Sequence, residues 1–320
     1  MTLSIVWLIV GLAAILVGAN LLTDGSAAIA RKFGLSELVV GLTVVAFGTS
    51  TPELAISMIS AAAGNASLAV GNVVGSNIFN ILVIIGITAM VRPIKIEKSV
   101  MTNEIPMVLL SSVILLVLGT QSFLQSGASD TVSRAEGIFL LIFFLLFMRY
   151  TLSQAHSGGS AAEESPKAAM GMGKAVLWVL LGLAGLVWGG DRFVDGATGI
   201  ARGLGISDAV IGLTIVAAGT SLPELAASVV AAMKNMPGLA VGNVIGSNIF
   251  NILLVLGASS VVLPLPFGEV GLADLLTLLL ASVLFLVFGW FFGERRINRA
   301  EGAVLFAVYV AYTVMLVGSL

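Results

Sequence analysis

The stretch GLTVVAFGTSTPELAIS, residues 41–57, decides how this chain folds, together with its near copy GLTIVAAGTSLPELAAS at residues 212–228. Each sets one carboxylate, Glu53 or Glu224, inside an otherwise apolar segment, directly after a proline and four residues after a threonine. A charged side chain at the centre of a membrane-spanning helix costs about 2.5–3.5 kcal/mol on insertion scales, so an acid there marks a functional site. Pro52 and Pro223 have no N–H to give, and their rings clash with the carbonyls of Gly48 and Gly219, which breaks the helix at G-T-S-x-P. In lipid such a break is tolerated only where the freed backbone groups are buried in protein or line a cavity. The carbonyls of residues 46–49 and 217–220 are thereby offered as hard oxygen ligands. Thr49 and Glu53, like Thr220 and Glu224, are four apart and share one helix face.

The rest of the composition agrees with a membrane setting. Of the 320 residues 58% are hydrophobic and only 10% are charged, more apolar surface than a soluble core can hide. A net charge of -2 leaves no basic stripe for nucleic acid. Cysteine is absent and the single histidine, His156, lies in the most polar stretch, which excludes thiolate sites and leaves imidazole ligation inside the membrane without a donor. Any cation site within the membrane is therefore built from oxygen, with no organic cofactor implied. Met1 to Leu22 lacks a basic n-region and overlaps the internal repeat, so it reads as a retained first helix.

About twenty apolar residues cross the hydrocarbon layer, which predicts ten spans at 3–32, 36–63, 67–91, 99–120, 134–153, 172–202, 207–233, 237–263, 270–292 and 299–319. The repeat runs at a constant offset of 171 residues, and its best block, LAVGNVVGSNIFNIL at 68–82 against LAVGNVIGSNIFNIL at 239–253, differs at one position. The expected fold is an all-α integral membrane protein of two five-helix repeats, residues 1–153 and 172–320, with broken helices at the midplane. Residues 154–171, rich in Ser, Gly and Ala, read as a flexible cytoplasmic linker. An odd number of spans per repeat makes the second repeat enter from the opposite side, the inverted topology of secondary transporters. With the N-terminus outside, basic residues from Arg31 and Lys32 through Arg92 to Arg295, Arg296 and Arg299 fall in inner loops, and only Arg134 and Arg202 fall in outer ones. The positive-inside rule thus places both termini outside a cell membrane that the chain crosses many times.

The helix after each G-T-S-x-P-E carries a second polar stripe. Ser76 and Asn80, and in the copy Ser247 and Asn251, are again four apart. The alternative for these residues is interhelical hydrogen bonding, the reading preferred for Asn72, Asn77, Asn243 and Asn248, which fit the stripe less well. Gly71, Gly75, Gly242 and Gly246 let the same helix approach its neighbour closely. Joined about a pseudo-two-fold axis, the repeats supply two carboxylates, two threonines, two serines and two asparagines. That inventory suits calcium, which takes six to eight oxygens, better than magnesium, which dehydrates reluctantly. Two monovalent ions or two protons neutralise the same pair of glutamates, and this competition is a basis for exchange. Asp24, Asp195, Asp191 and Arg192 read as interfacial or local pairs.

G-T-S-x-P-E followed by G-N-x-x-G-S-N-I-F-N, in both halves, resembles the cation/calcium exchanger superfamily, and within it the prokaryotic sodium/calcium exchangers, over essentially the whole chain. The resemblance implies antiport of sodium against calcium by alternating access, three sodium ions for one calcium, with the lipid bilayer and the two ions as partners. It implies a calcium site of Glu53, Glu224, Thr49 and Thr220, sodium sites using Ser76, Ser247 and the carbonyls of Ala46 and Ala217, and a central position lined by Asn80 and Asn251. Potassium-dependent members of the superfamily carry aspartate where this chain has Asn251, so potassium independence is expected. The short linker departs from animal exchangers, which hold regulatory domains there. A calcium/proton antiporter on the same glutamates is the second reading. An intramembrane hydrolase using Ser50 or Ser221 is the third, and it lacks a base to activate the serine.

Overall fold

The computed structural model describes residues 2–127, 129–155, 170–205, 217–291 and 295–318. Eleven helical segments organise it: α1 Thr2–Phe33, α2 Glu37–Thr49, α3 Thr51–Ala62, α4 Ala66–Val91, α5 Val100–Leu118, α6 Arg134–Gln154, α7 Met172–Gly203, α8 Leu222–Met233, α9 Pro237–Val262, α10 Leu272–Phe291 and α11 Arg299–Gly318. Among the described residues eight of these are long and apolar enough to cross a membrane. The pair α2 and α3, bent by 45° at Ser50, makes a ninth when taken as one broken span. The span expected at 207–233 is represented by α8 alone, because 206–216 lie outside the described residues, as does 156–169 of the expected linker.

Lipid-type packing explains the layering. α4 and α9 are 83% and 94% buried across their most apolar stretch, whereas α11 is 11% buried. The two helices that carry the second polar stripe are therefore the core, and the less buried helices surround them. The offset of 171 carries α3 onto α8 and α4 onto α9 without a shift.

The longest helices, α1 and α7, lie against each other along their whole length. Gly11, Gly18 and Gly25 of α1 face Gly189, Gly182 and Ala175 of α7, so the two helices run antiparallel. A Cβ at Gly189 would sit 2.8 Å from the Ile15 nitrogen, and one at Gly182 would sit 2.6 Å from the Leu22 nitrogen. Only glycine permits that backbone contact. The spacing of seven between these glycines is present in the sequence, but spacing alone does not name the helix they face.

Two short strand pairs close the loops. Ile94–Lys95, β1, pairs antiparallel with Arg296–Ile297, β4, and Thr131–Val132, β2, pairs with Leu265–Pro266, β3. Because α5 separates β1 from β2, the loop after α4 and the loop after α9 lie at opposite ends of the molecule.

Candidate ion-binding site

Each break is made by the residues that announced it, and its geometry is more specific than a clash. Ser50 (φ -84°, ψ 6°) and Ser221 (φ -93°, ψ 5°) leave helical geometry, and Pro52 and Pro223 fall in the first turn of α3 and α8. There a missing N–H costs nothing, because the first-turn donors have no intrahelical acceptor. Glu53 and Glu224 occupy the same first turns. The partial positive charge of a helix N-terminus offsets part of the cost of burying a carboxylate, about 0.3–1 kcal/mol and up to ~2 in buried geometries.

Both glutamates are completely buried. They are joined across the repeats by crossed hydrogen bonds: Ser50 Oγ donates to Glu224 Oε1 at 3.1 Å, and Ser221 Oγ donates to Glu53 Oε1 at 3.3 Å. The serine of each G-T-S motif thus holds the acid of the other motif. The sequence does not mark Ser50 and Ser221 as members of the site, since spacing within one helix cannot show a contact 168 or more residues away. Among the described residues no basic side chain forms an ion pair with either glutamate.

A second set of bonds fixes the backbone behind the acids. Asn72 Nδ2 donates to the Glu53 carbonyl at 3.2 Å and to Ser57 Oγ at 2.9 Å; Asn243 Nδ2 does the same to the Glu224 carbonyl and Ser228 Oγ at the same distances. Asn77 and Asn248 donate to the carbonyls of Val73 and Val244 on their own helices. Asn72 and Asn243 are therefore interhelical hydrogen-bond partners, whereas Asn77 and Asn248 bond only their own helices through Nδ2 and leave their buried Oδ1 atoms unpaired among the described residues.

The other half of the expected set is different in kind. Ser76 Oγ, Ser247 Oγ, both amide atoms of Asn80 and of Asn251, Thr220 Oγ1, and Glu53 Oε2 and Glu224 Oε2 are buried without a hydrogen-bond partner among the described residues. Buried polar atoms are rarely left unpaired, since each costs about 1–3 kcal/mol. These residues sit in the two broken motifs or in the helices packed against them, and their polar atoms keep bonding capacity to spare. No three acidic or histidine side chains cluster among the described residues, so most of that capacity is neutral oxygen.

At one position the structure departs from expectation, and at its twin it gives no test. The Ala46 carbonyl is not released by the break: it accepts the Ser50 N–H at 2.9 Å and the Thr49 hydroxyl at 3.4 Å, which leaves it at most a shared ligand. Ala217 lies in the short turn Ala217–Gly219, and residues 212–216 of the second motif lie outside the described residues. π-helical turns at Gly41–Val45, Asn80–Ile85 and Phe250–Leu256 are a further feature that the sequence does not announce. Such turns concentrate at functional sites, and here they run up to Ala46 or contain Asn80 and Asn251, re-aiming side chains that a regular helix would stack.

A crevice of about 280 Å³ reaches this region between α3, α7 and α8, lined by Pro52, Ile56, Val187, Asp191, Asp195 and Thr220 among others. Asp24 and Asp195, read from the sequence as interfacial or locally paired, lie more than two turns inside α1 and α7. Arg192 pairs with Asp195 at 3.0 Å, not with neighbouring Asp191, and its guanidinium lies over Trp7 at 5.3 Å. On α1, Asp24 pairs with Lys234 at 2.8 Å.

Comparison with known proteins puts this geometry in a family context. The family model for sodium/calcium exchanger protein matches residues 3–152 and 174–318. The chain is 37% identical to the putative antiporter CaxA of Alkalimonas amylolytica over 100% of both chains. It is 34% identical to the sodium/calcium exchanger MaX1 of Methanosarcina acetivorans, covering 98% of this chain and 99% of that one. Among solved structures, the sodium-calcium exchanger NCX_Mj without sodium and calcium superposes with a TM-score of 0.83 at 34% identity, over 98% of this chain and 99% of the other.

Proposed function

The chain belongs to the sodium/calcium exchanger protein family, a family of membrane transporters, and from that premise we propose that it exchanges sodium for calcium at the site between Glu53 and Glu224. The observation that carries this reading is the pair of buried glutamates held by each other's serines, surrounded by unpaired neutral oxygens. Calcium is bound by Glu53, Glu224, Thr49 and Thr220. Sodium uses Ser76, Ser247 and the carbonyls of Ala46 and Ala217, with Asn80 and Asn251 at the central position.

The charge of the site explains why transport is exchange. Two ionised carboxylates with no basic partner carry a charge that costs several kcal/mol per ion to bury. A conformational change that occludes the empty site is penalised by that amount, whereas one that occludes a neutralised site is not. The carrier therefore crosses only when loaded, and one divalent ion leaves only as monovalent ions replace it. Three sodium ions against one calcium makes the cycle electrogenic. Asn251, a neutral amide, keeps the fixed charge from rising to a value that also holds potassium, so the cycle is potassium-independent.

The architecture in this reading is ten spans in two inverted five-helix repeats, residues 1–153 and 172–320, joined by the 154–171 linker. The antiparallel course of α1 and α7 and the crossed pairing of the four short strands support inversion. Alternating access follows from two repeats exchanging conformations around a fixed centre, with both termini outside by the positive-inside rule.

Purified protein in liposomes tests the reading. An outward sodium gradient drives calcium uptake, and external potassium leaves the rate unchanged. Uptake driven by a pH gradient and indifferent to sodium would transfer the same glutamates to the calcium/proton reading.

A further inference from the structure

Every side-chain hydrogen bond at the site has a twin in the other repeat except those of one threonine. Thr49 Oγ1 donates to Asn243 Oδ1 at 3.1 Å, an interhelical bond between α2 and α9. The repeat offset predicts a twin between Thr220 and Asn72, and that bond is not made: Thr220 Oγ1 has no partner among the described residues. The asymmetry does not stand alone. Thr220 lines the crevice between α3 and α7, whereas Thr49 is completely buried.

The surrounding helices differ in the same sense. α1 packs along α8, but its counterpart α7 does not pack along α3 among the described residues, and the crevice occupies that place. Lys234, at the end of α8, reaches across to α1, where its ammonium meets Asp24 at 2.8 Å and the Asn20 carbonyl at 3.2 Å. The equivalent of Lys234 at the end of α3 is Ala63, which cannot make such a bridge. Because α1 and α7 are antiparallel, the bridged side and the crevice lie at opposite ends of the site.

We propose that Asn243 and Asn72 are positioning residues whose bond to the opposite repeat's threonine exists on one side at a time. The Thr49–Asn243 bond holds the α1–α8 side shut while the α3–α7 crevice is open. The Thr220–Asn72 bond replaces it when the crevice closes. This rests on the alternating-access reading and adds to it the groups that tell the two sides apart. Asparagine is chemically suited to this role. Each one already grips the carbonyl of the glutamate on its own repeat through Nδ2, so its Oδ1 couples the position of that acid to the threonine across the interface. A threonine freed from its asparagine is left with a buried, unpaired hydroxyl behind the crevice wall, and a threonine bound to it is locked into the packed interface.

The absence of native cysteine allows a clean reporter. Val187→Cys on the crevice wall is labelled by a membrane-impermeant maleimide in sodium- and calcium-free buffer, in liposomes that also report sodium-driven calcium uptake. Asn243→Ala removes the bond of the open-crevice state and lowers the labelling rate about three- to tenfold, the equilibrium worth of one buried hydrogen bond. Asn72→Ala removes the bond of the other state and does not lower it. Thr49→Val and Thr220→Val, which keep the side-chain shape, repeat the contrast where an asparagine variant fails to fold. Equal losses in both members of a pair, or no loss in Asn243→Ala and Thr49→Val, overturn the proposal. Uptake by the Val187→Cys parent separates the two readings: exchange without opposed labelling shifts removes this proposal alone, and no exchange removes the transport reading.

Discussion

Lys234 on one side of the site bonds an acid on another helix, and Ala63, at the equivalent position on the other side, has no group to do so. Asp24 and Asp195 stand at equivalent positions of the two repeats. Asp24 takes Lys234 from a different helix and ties α1 to α8, whereas Asp195 takes Arg192 from its own helix and ties nothing across. Arg192 has no repeat counterpart, since the equivalent residue is Leu21, and stacking on Trp7 helps hold it to its own helix. The crevice lies on the side of the local pair, and the sealed interface lies on the side of the bridge. Near-identical motifs therefore need not make equivalent surroundings: unrepeated residues at the periphery bond differently beside each copy.

The largest expected effect tests whether the two sides are equal at the centre. Glu53→Gln or Glu224→Gln leaves one charge against a divalent ion, and breaking a buried charge pairing costs about 3–5 kcal/mol, so calcium uptake in liposomes falls at least about a hundredfold in each. Strongly unequal losses would break the equivalence of the two acids. Next is the interface that both sides share. Gly189→Val forces a side chain into the Ile15 and Gly11 backbones and lowers stability by about 1–3 kcal/mol, read as a lower melting temperature in detergent. Gly190→Ala, whose Cβ meets nothing closer than 3.8 Å, stays near the parent and serves as the contrast.

Smaller effects sharpen the asymmetry. Asn251→Asp adds a third carboxylate to one repeat only and shifts the sodium or potassium dependence of uptake by about tenfold, roughly 1.4 kcal/mol. Unchanged ion dependence would show that the amide is not in the central position. Lys234→Ala removes a partly exposed bridge worth about 0.2–1 kcal/mol, so crevice labelling falls by about fivefold at most. The drop fades in molar salt, where the screening length is about 3 Å. A drop that persists there would assign the effect to packing of the lysine stem.

Much of the site is legible in the sequence because its residue types are expensive where they stand. Glu53 and Glu224 in apolar surroundings, each after a proline and before a glycine- and asparagine-rich helix, point to a helix break and a pair of acids that the fold buries. Asn72 and Asn243 read as hydrogen-bond partners, and they are. Ser50 and Ser221 escape such a reading because their partners come from the other repeat. The crossing of two chain segments is a long-range contact that no local spacing encodes. The π-helical turns at Asn80–Ile85 and Phe250–Leu256 are equally silent, since a widened turn leaves the order of residues unchanged.

Residue order alone establishes the membrane setting, the internal repeat and the identity of the two central acids, because apolar content, offset and the cost of buried charge can all be read along a chain. Which serine serves which glutamate, which threonine is held and which is free, and where the crevice lies emerge only once the chain is folded. Those are relations between two nearly identical copies. Equal sequences predict equal surroundings, and here packing brings unrepeated side chains, Lys234 and Arg192, into different pairings beside each copy.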